Sequence, residues 1–114
     1  MKILITGGAG FLGSHLGDAF LKRGDEIFVL DEAKDFKIRH NLGNPKFHYI
    51  RDSILNEEIL DGLIFKSDLV YHMAAVVGVE HYVGDPYNVL NVNINGTQNV
   101  LKAAFKYNKN IIII

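Results

Sequence analysis

At 114 residues the chain has room for at most one domain, able to bury roughly two-thirds of its unfolded surface. It is 48% hydrophobic and 22% charged, with a net charge of −1 and no basic cluster, which argues against nucleic acid or an anionic membrane as a partner. The absence of cysteine excludes disulfides, thiolate metal sites and a Cys nucleophile. No apolar run is long enough to span a bilayer, and the chain opens on a strand rather than a leader, so the expected compartment is the cytoplasm.

Lys2 to Thr6 is short and rich in Ile and Leu, and reads as a buried strand. Gly7, Gly8, Gly10 and Gly13 follow in a tight cluster. Gly8, Gly10 and Gly13 fit G-x-G-x-x-G, and Gly7, Gly10 and Gly13 fit G-x-x-G-x-x-G. Phe11, Leu12, Leu16, Ala19 and Phe20 then recur at helical spacing up to Lys22-Arg23-Gly24, a helix end. Strand, glycine turn and helix in that order are the context of a dinucleotide site. The first glycine lets the chain turn out of the strand, the middle one lets a pyrophosphate approach the backbone, and the last lets the helix pack closely. The helix start then offers free N–H groups and a partial positive charge to phosphates. Ser14-His15 after Gly13, in place of Lys-Ser/Thr, disfavours a P-loop.

Asp25 to Leu30 reads as a second buried strand, ending at Asp31. Asp31 lies 18 residues after Gly13, close to where such folds place an acid on the adenosine ribose. A carboxylate there accepts bonds from both ribose hydroxyls and repels a 2′-phosphate, so the expected preference is NAD over NADP. Lys34, Lys37 and Arg39 follow and could soften it. Ala33 to Lys46 reads as a loop with one helical turn, and Phe47 to Ile50 as a third strand. Asp52 is a candidate for the adenine amino group, or equally a capping acid. Asn56-Glu57-Glu58 opens a short helix through Ile64.

Asp68 to His72 is the fourth expected strand, running into Met73-Ala74-Ala75, small residues that leave a crevice open. His72 reads first as a hydrogen-bonded core residue and second as an acid–base. Val76 to Gly84 reads as an irregular loop over the crevice. Asp85-Pro86 starts a helix expected to run to Lys106. Asn93, Gly96, Val100, Ala103 and Ala104 form a small stripe suited to the sheet. Leu90, Ile94, Leu101 and Phe105 form a large stripe needing cover from another helix or subunit. Asn95-Gly96-Thr97 matches a glycosylation acceptor by chance, inside that helix. Ile111 to Ile114 begins a fifth strand. The alternation predicts an α/β, doubly wound parallel sheet of Rossmann type, in the order 3-2-1-4-5.

Thr6 to Leu16, His72-Met73-Ala74-Ala75, and Asp85-Pro86 through Asn93-Ile94-Asn95-Gly96-Thr97 together resemble the extended short-chain dehydrogenase/reductase family. More narrowly, they resemble its nucleotide-sugar epimerases, dehydratases and decarboxylases. The resemblance spans essentially the whole chain and implies NAD as cofactor and a nucleotide sugar as substrate. It implies that Gly7, Gly10, Phe11, Leu12 and Gly13 hold the pyrophosphate and Asp31 the ribose. Asp52, Ser53 and Ile54 would line the adenine pocket. Met73, Ala74 and Ala75 would lie along the cofactor, with Val77 near the nicotinamide. Asn93 would order the site at the bend of the long helix, and the large stripe on Pro86 to Lys106 would form a homodimer bundle.

Family catalysis uses a Ser or Thr after the fifth strand and a Tyr-x-x-x-Lys pair. Here the residues four after Tyr49, Tyr71, Tyr82, Tyr87 and Tyr107 are Ser53, Ala75, Pro86, Asn91 and Ile111. No catalytic residue of that kind is expected within residues 1–114, which read as the cofactor-binding part, stopping before the later strands and the sugar-binding lobe. A non-catalytic NAD-binding module and, more remotely, a methyltransferase are the alternatives.

Overall fold

The computed structural model describes all residues from Met1 to Ile114. Five strands run in chain order: β1 (Lys2–Thr6), β2 (Glu26–Asp31), β3 (Phe47–Arg51), β4 (Leu69–His72) and β5 (Asn110–Ile113). They form one parallel sheet in the order β3-β2-β1-β4-β5, as the alternation predicts. The helices are α1 (Phe11–Arg23), α2 (Glu57–Lys66), α3 (Val79–Gly84), α4 (Pro86–Leu90) and α5 (Thr97–Lys106).

Side chains alternate across the sheet with period two and so feed two cores. Ile3, Ile5, Ile27 and Val29 point to one face, where Leu16, Phe20 and Leu21 of α1 cover them. Leu4, Phe28, Leu30 and Val70 point to the other, packed with Leu60, Leu63 and Ile64 of α2 and Val100 and Ala103 of α5. Both faces being covered is why β1 and β2 read as continuous apolar runs. Asn56 caps α2 by accepting from the Ile59 N–H, and Asp85 caps α4 by accepting from the Asn88 N–H with Pro86 next to it.

Several boundaries differ from expectation. Asp25 lies outside β2, and its buried carboxylate holds the Met1 ammonium at 2.9 Å and Arg23 at 2.6 Å. β3 extends to Arg51, and β5 begins one residue early at Asn110. The loop after Ala33 contains a single 3-10 turn, Arg39–Asn41, as expected. It is pinned to α1 by Asp18, which accepts from Asn41 at 2.6 Å and bonds His40 at 2.9 Å. The segment Val76 to Gly84 is not wholly irregular, since residues from Val79 form α3. The expected single helix from Pro86 to Lys106 keeps helical backbone throughout, but Asn91–Gly96 is a π turn. One longer i→i+5 turn inside a helix is a feature that often marks a functional region.

The small stripe does face inward: Gly96, Val100, Ala103 and Ala104 are buried, while Asn93 is half-buried. A Cβ on Gly96 would come within 2.4 Å of the Ile54 side chain, so this glycine lets the helix close on the loop after β3. The large stripe faces outward, with Leu90 58%, Ile94 60%, Leu101 43% and Phe105 90% exposed.

Candidate functional site

The strand ends are level: Thr6 pairs with Leu30 on one side and with His72 on the other. Just beyond them lies a cleft of about 340 Å³, within the usual range for a small-molecule site. It opens at the carboxyl ends of β1, β2 and β4, around the strand where the order reverses, which is where doubly wound sheets bind ligands.

One side of the cleft is the turn from Gly7 to Gly13. Gly7 has φ +76°, and a Cβ there would sit 2.8 Å from the Ala74 nitrogen, so only glycine suits both the backbone and the close passage of the β4 end. A Cβ on Gly13 would lie 2.4 Å from the Gly7 oxygen and 2.7 Å from the Gly8 Cα. Gly13 therefore packs α1 onto the turn itself rather than onto the strand. Gly10 is different. A Cβ there would meet only the Gly7 oxygen, at 3.3 Å, with nothing else near it.

Gly10 starts α1 with no side-chain cap, and the first turn of α1 carries no acid. The Ser14 N–H closes the first helical bond onto Gly10, leaving the N–H groups of Phe11, Leu12 and Gly13 without any partner in the chain. All three residues line the cleft. The only ionisable residues in the lining are the acids Asp31, Glu32 and Asp52. Any phosphate here must be held by backbone N–H groups and the helix dipole, and the unpaired donors fit that requirement.

The other side is the segment after β4. His72 is 3% exposed, and its Nδ1 lies 2.7 Å from the Thr6 hydroxyl and its Nε2 2.8 Å from the Thr97 hydroxyl. The Thr6 oxygen already accepts from the N–H groups of Met73 and Ala74, each at 3.1 Å. Its own proton therefore goes to Nδ1, so Nε2 of a neutral imidazole carries the ring hydrogen and donates to Thr97. Burial pushes the His72 pKa below its ordinary value. His72 is thus a bonded core residue tying β1, β4 and α5 together, and it does not line the cleft.

The model of the NAD dependent epimerase/dehydratase family matches residues 3–114. The chain belongs to that family. Its cofactor is NAD, the cofactor named by the resemblance. Among relatives, UDP-glucuronic acid decarboxylase 1 of Arabidopsis thaliana is 35% identical over 107 residues, 91% of this chain and 23% of the plant protein. A UDP-N-acetyl-alpha-D-glucosaminuronate decarboxylase of Bacillus cytotoxicus is 36% identical over 112 residues, 97% of this chain and 35% of the relative. Among solved structures, UDP-glucose 4-epimerase of Thermus thermophilus in complex with NAD superposes with a TM-score of 0.79 at 34% identity, over 95% of this chain and 35% of the epimerase. The chain thus spans 23% and 35% of these two relatives' lengths.

Most of the residues expected at the epimerase/dehydratase site do meet in the cleft: Gly7, Gly10, Phe11, Leu12, Gly13, Asp31, Asp52, Ile54, Met73, Ala74, Ala75 and Val77. Ser53 and Asn93 do not line it. The Ser53 hydroxyl accepts from the Leu55 N–H at 3.0 Å and helps form the turn into α2. Asn93 acts one layer behind: its amide accepts from the Val76 N–H at 2.8 Å and donates to the Val76 carbonyl at 3.0 Å, holding a cleft residue by both backbone groups. Phe11 and Leu12, expected on the apolar stripe of α1, are 72% and 53% exposed instead, because they stand at the mouth of the cleft. Leu30, Glu32, Ala33, Val76 and Val92 also line it outside the expected set, Val76 as the first residue of the segment expected over the crevice. Val76 adjoins the expected run from Met73 to Ala75, but nothing in the local pattern marks Val92.

Proposed function

We propose that this cleft binds NAD and that the chain is the cofactor-holding part of an enzyme acting on a nucleotide-linked sugar. The observation that carries this is the trio of unpartnered N–H groups on Phe11, Leu12 and Gly13, beside a glycine surface with no cation in the lining. They would take the pyrophosphate. The Asp31 carboxylate would accept from the adenosine ribose hydroxyls, Asp52 and Ile54 would flank the adenine, and Met73 to Val77 would lie along the nicotinamide half. When bound, NAD accepts a hydride from a sugar carbon and can return it. The chain's own residues bind and orient the cofactor and shield it from water. The family placement speaks against the methyltransferase alternative.

The finer reading is a nucleotide-sugar epimerase, dehydratase or decarboxylase, supported by what the relatives are and by the share of their length that this chain spans. Residues 1–114 contain no Tyr-x-x-x-Lys and are expected to hold NAD without turning over a sugar. The exposed stripe of Leu90, Ile94, Leu101 and Phe105 supports a homodimer through the helical run from Pro86 to Lys106. No helix is long and apolar enough to cross a membrane, and a cytoplasmic setting is proposed. Calorimetric titration of the protein with NAD, NADP and S-adenosylmethionine tests the core reading. NAD is expected to bind tightest, and preferential binding of S-adenosylmethionine or no binding of NAD would overturn it.

A further inference from the structure

Asp31 ends β2, and its carboxylate is committed on both oxygens before any ligand arrives. Oδ2 accepts from the Ala9 N–H at 3.0 Å, inside the glycine turn. Oδ1 accepts from the Ala33 N–H at 3.0 Å, in the loop that follows β2. Tyr49 on the neighbouring strand holds the carbonyl of the same Ala33 through its hydroxyl. One acid therefore fastens two separate backbone segments, one beside the phosphate donors and one beside the ribose position. Each carboxylate oxygen has a second lone pair, and Asp31 still lines the cleft, so these bonds leave room for ribose hydroxyls.

We infer that Asp31 is a positioning residue for the phosphate-binding turn as well as the acceptor for the ribose. Ala9 directly precedes Gly10, and its N–H has no other partner in the chain. Releasing it frees the residue on which the entry to α1 turns, so the Phe11 to Gly13 donors lose their fixed aim. The charge of Asp31 is only part of its role, because a side-chain amide cannot replace it. Asn offers one acceptor oxygen, and its NH2 group would face the other N–H donor to donor. The inference rests on the proposal that the cleft holds NAD.

The test uses NAD and its 2′,3′-dideoxyadenosine analogue, which has no hydroxyls for the acid to hold. Both are titrated into the wild-type protein and Asp31→Asn, and amide exchange at Ala9 is followed without ligand. Asp31→Asn is expected to weaken NAD by more than tenfold and still weaken the analogue several-fold, with faster exchange at Ala9. A variant that binds the analogue as wild type does, with unchanged Ala9 exchange, overturns the positioning role and leaves only the ribose contact. Should Asp31→Asn not fold, exchange in the ligand-free wild type decides. Ala9 and Ala33 are expected to exchange at least tenfold slower than Phe11 and Leu12, and equal rates would overturn the inference. Failure of wild-type protein to bind NAD would overturn the cofactor reading instead, while Ala9 exchange would still judge the clamp.

Discussion

The cleft lining from Gly7 to Gly13 is backbone drawn from one short stretch, and its shape follows from missing side chains. The lining from Met73 to Val77 is held by side chains far away in the chain: Thr6 to Met73 and Ala74, His72 to Thr97, and Asn93 to Val76. The first is fixed by backbone packed closely at Gly7 and Gly13, where a Cβ would collide, and by the Asp31 bond to Ala9. The second is rigid because each buried polar group has a partner it cannot lose cheaply. Two chemistries thus build one pocket, and they should fail differently.

The comparison breaks most severely at Gly13. Gly13→Ala puts a methyl 2.4 Å from the Gly7 oxygen, and the expected loss is about 3 kcal/mol by urea unfolding, with NAD binding abolished. Gly10→Ala sharpens the contrast: with only one contact, at 3.3 Å, it should cost less than about 1 kcal/mol yet weaken NAD at least tenfold in calorimetry. Equal stability losses for the two would contradict the geometry.

On the other lining, Thr6→Val keeps the shape but leaves the Ala74 N–H and the His72 Nδ1 without partners. An unfolding free energy lower by about 3 kcal/mol is expected. His72 also predicts a pH dependence. The folded state holds it neutral, below its ordinary value of 6.5, so the unfolded chain takes up the proton first. Stability should be full above about pH 6.5 and fall as the pH drops toward 5. His72→Gln should remove that slope in urea titrations at stepped pH. The Asp25 carboxyl, held low first by Arg23 and then by the Met1 ammonium, contributes only in more acid solution.

Asn93→Leu is milder, because Val76 is half-buried and water can replace part of what is lost. About 1 kcal/mol is expected, with faster amide exchange at Val76 and weaker NAD binding. The smallest effect on the fold is at Phe105, 90% exposed: Phe105→Glu should change stability by less than about 0.5 kcal/mol while lowering self-association in sedimentation.

The local signals in the chain were enough for the strand order, the helix starts at Asn56 and at Asp85-Pro86, and most of the glycine-turn lining. Each rests on neighbours within a few positions: period-two apolar runs, an Asp before Pro, glycines before a helix. The π turn at Asn91–Gly96 falls where the family resemblance puts a bend, at Asn93, and its asparagines and glycine are weak helix formers, but nothing local sets the longer i→i+5 turn. Helix α3 carries no local signal, because Val79 to Gly84 is short and has no buried residue to set a period.

What the amino-acid sequence determined by itself is the glycine turn and the acid at the end of β2 that share one cleft, because glycine spacing and a strand-ending acid act through the local backbone. Only the tertiary structure decided that Ser53 turns to its own helix entry, that Asn93 serves Val76 from behind the lining, and that Asp31 grips Ala9 across 22 positions. A hydrogen bond between distant segments depends on how strands are registered and helices seated, and side-chain identity alone does not encode which donor it will meet.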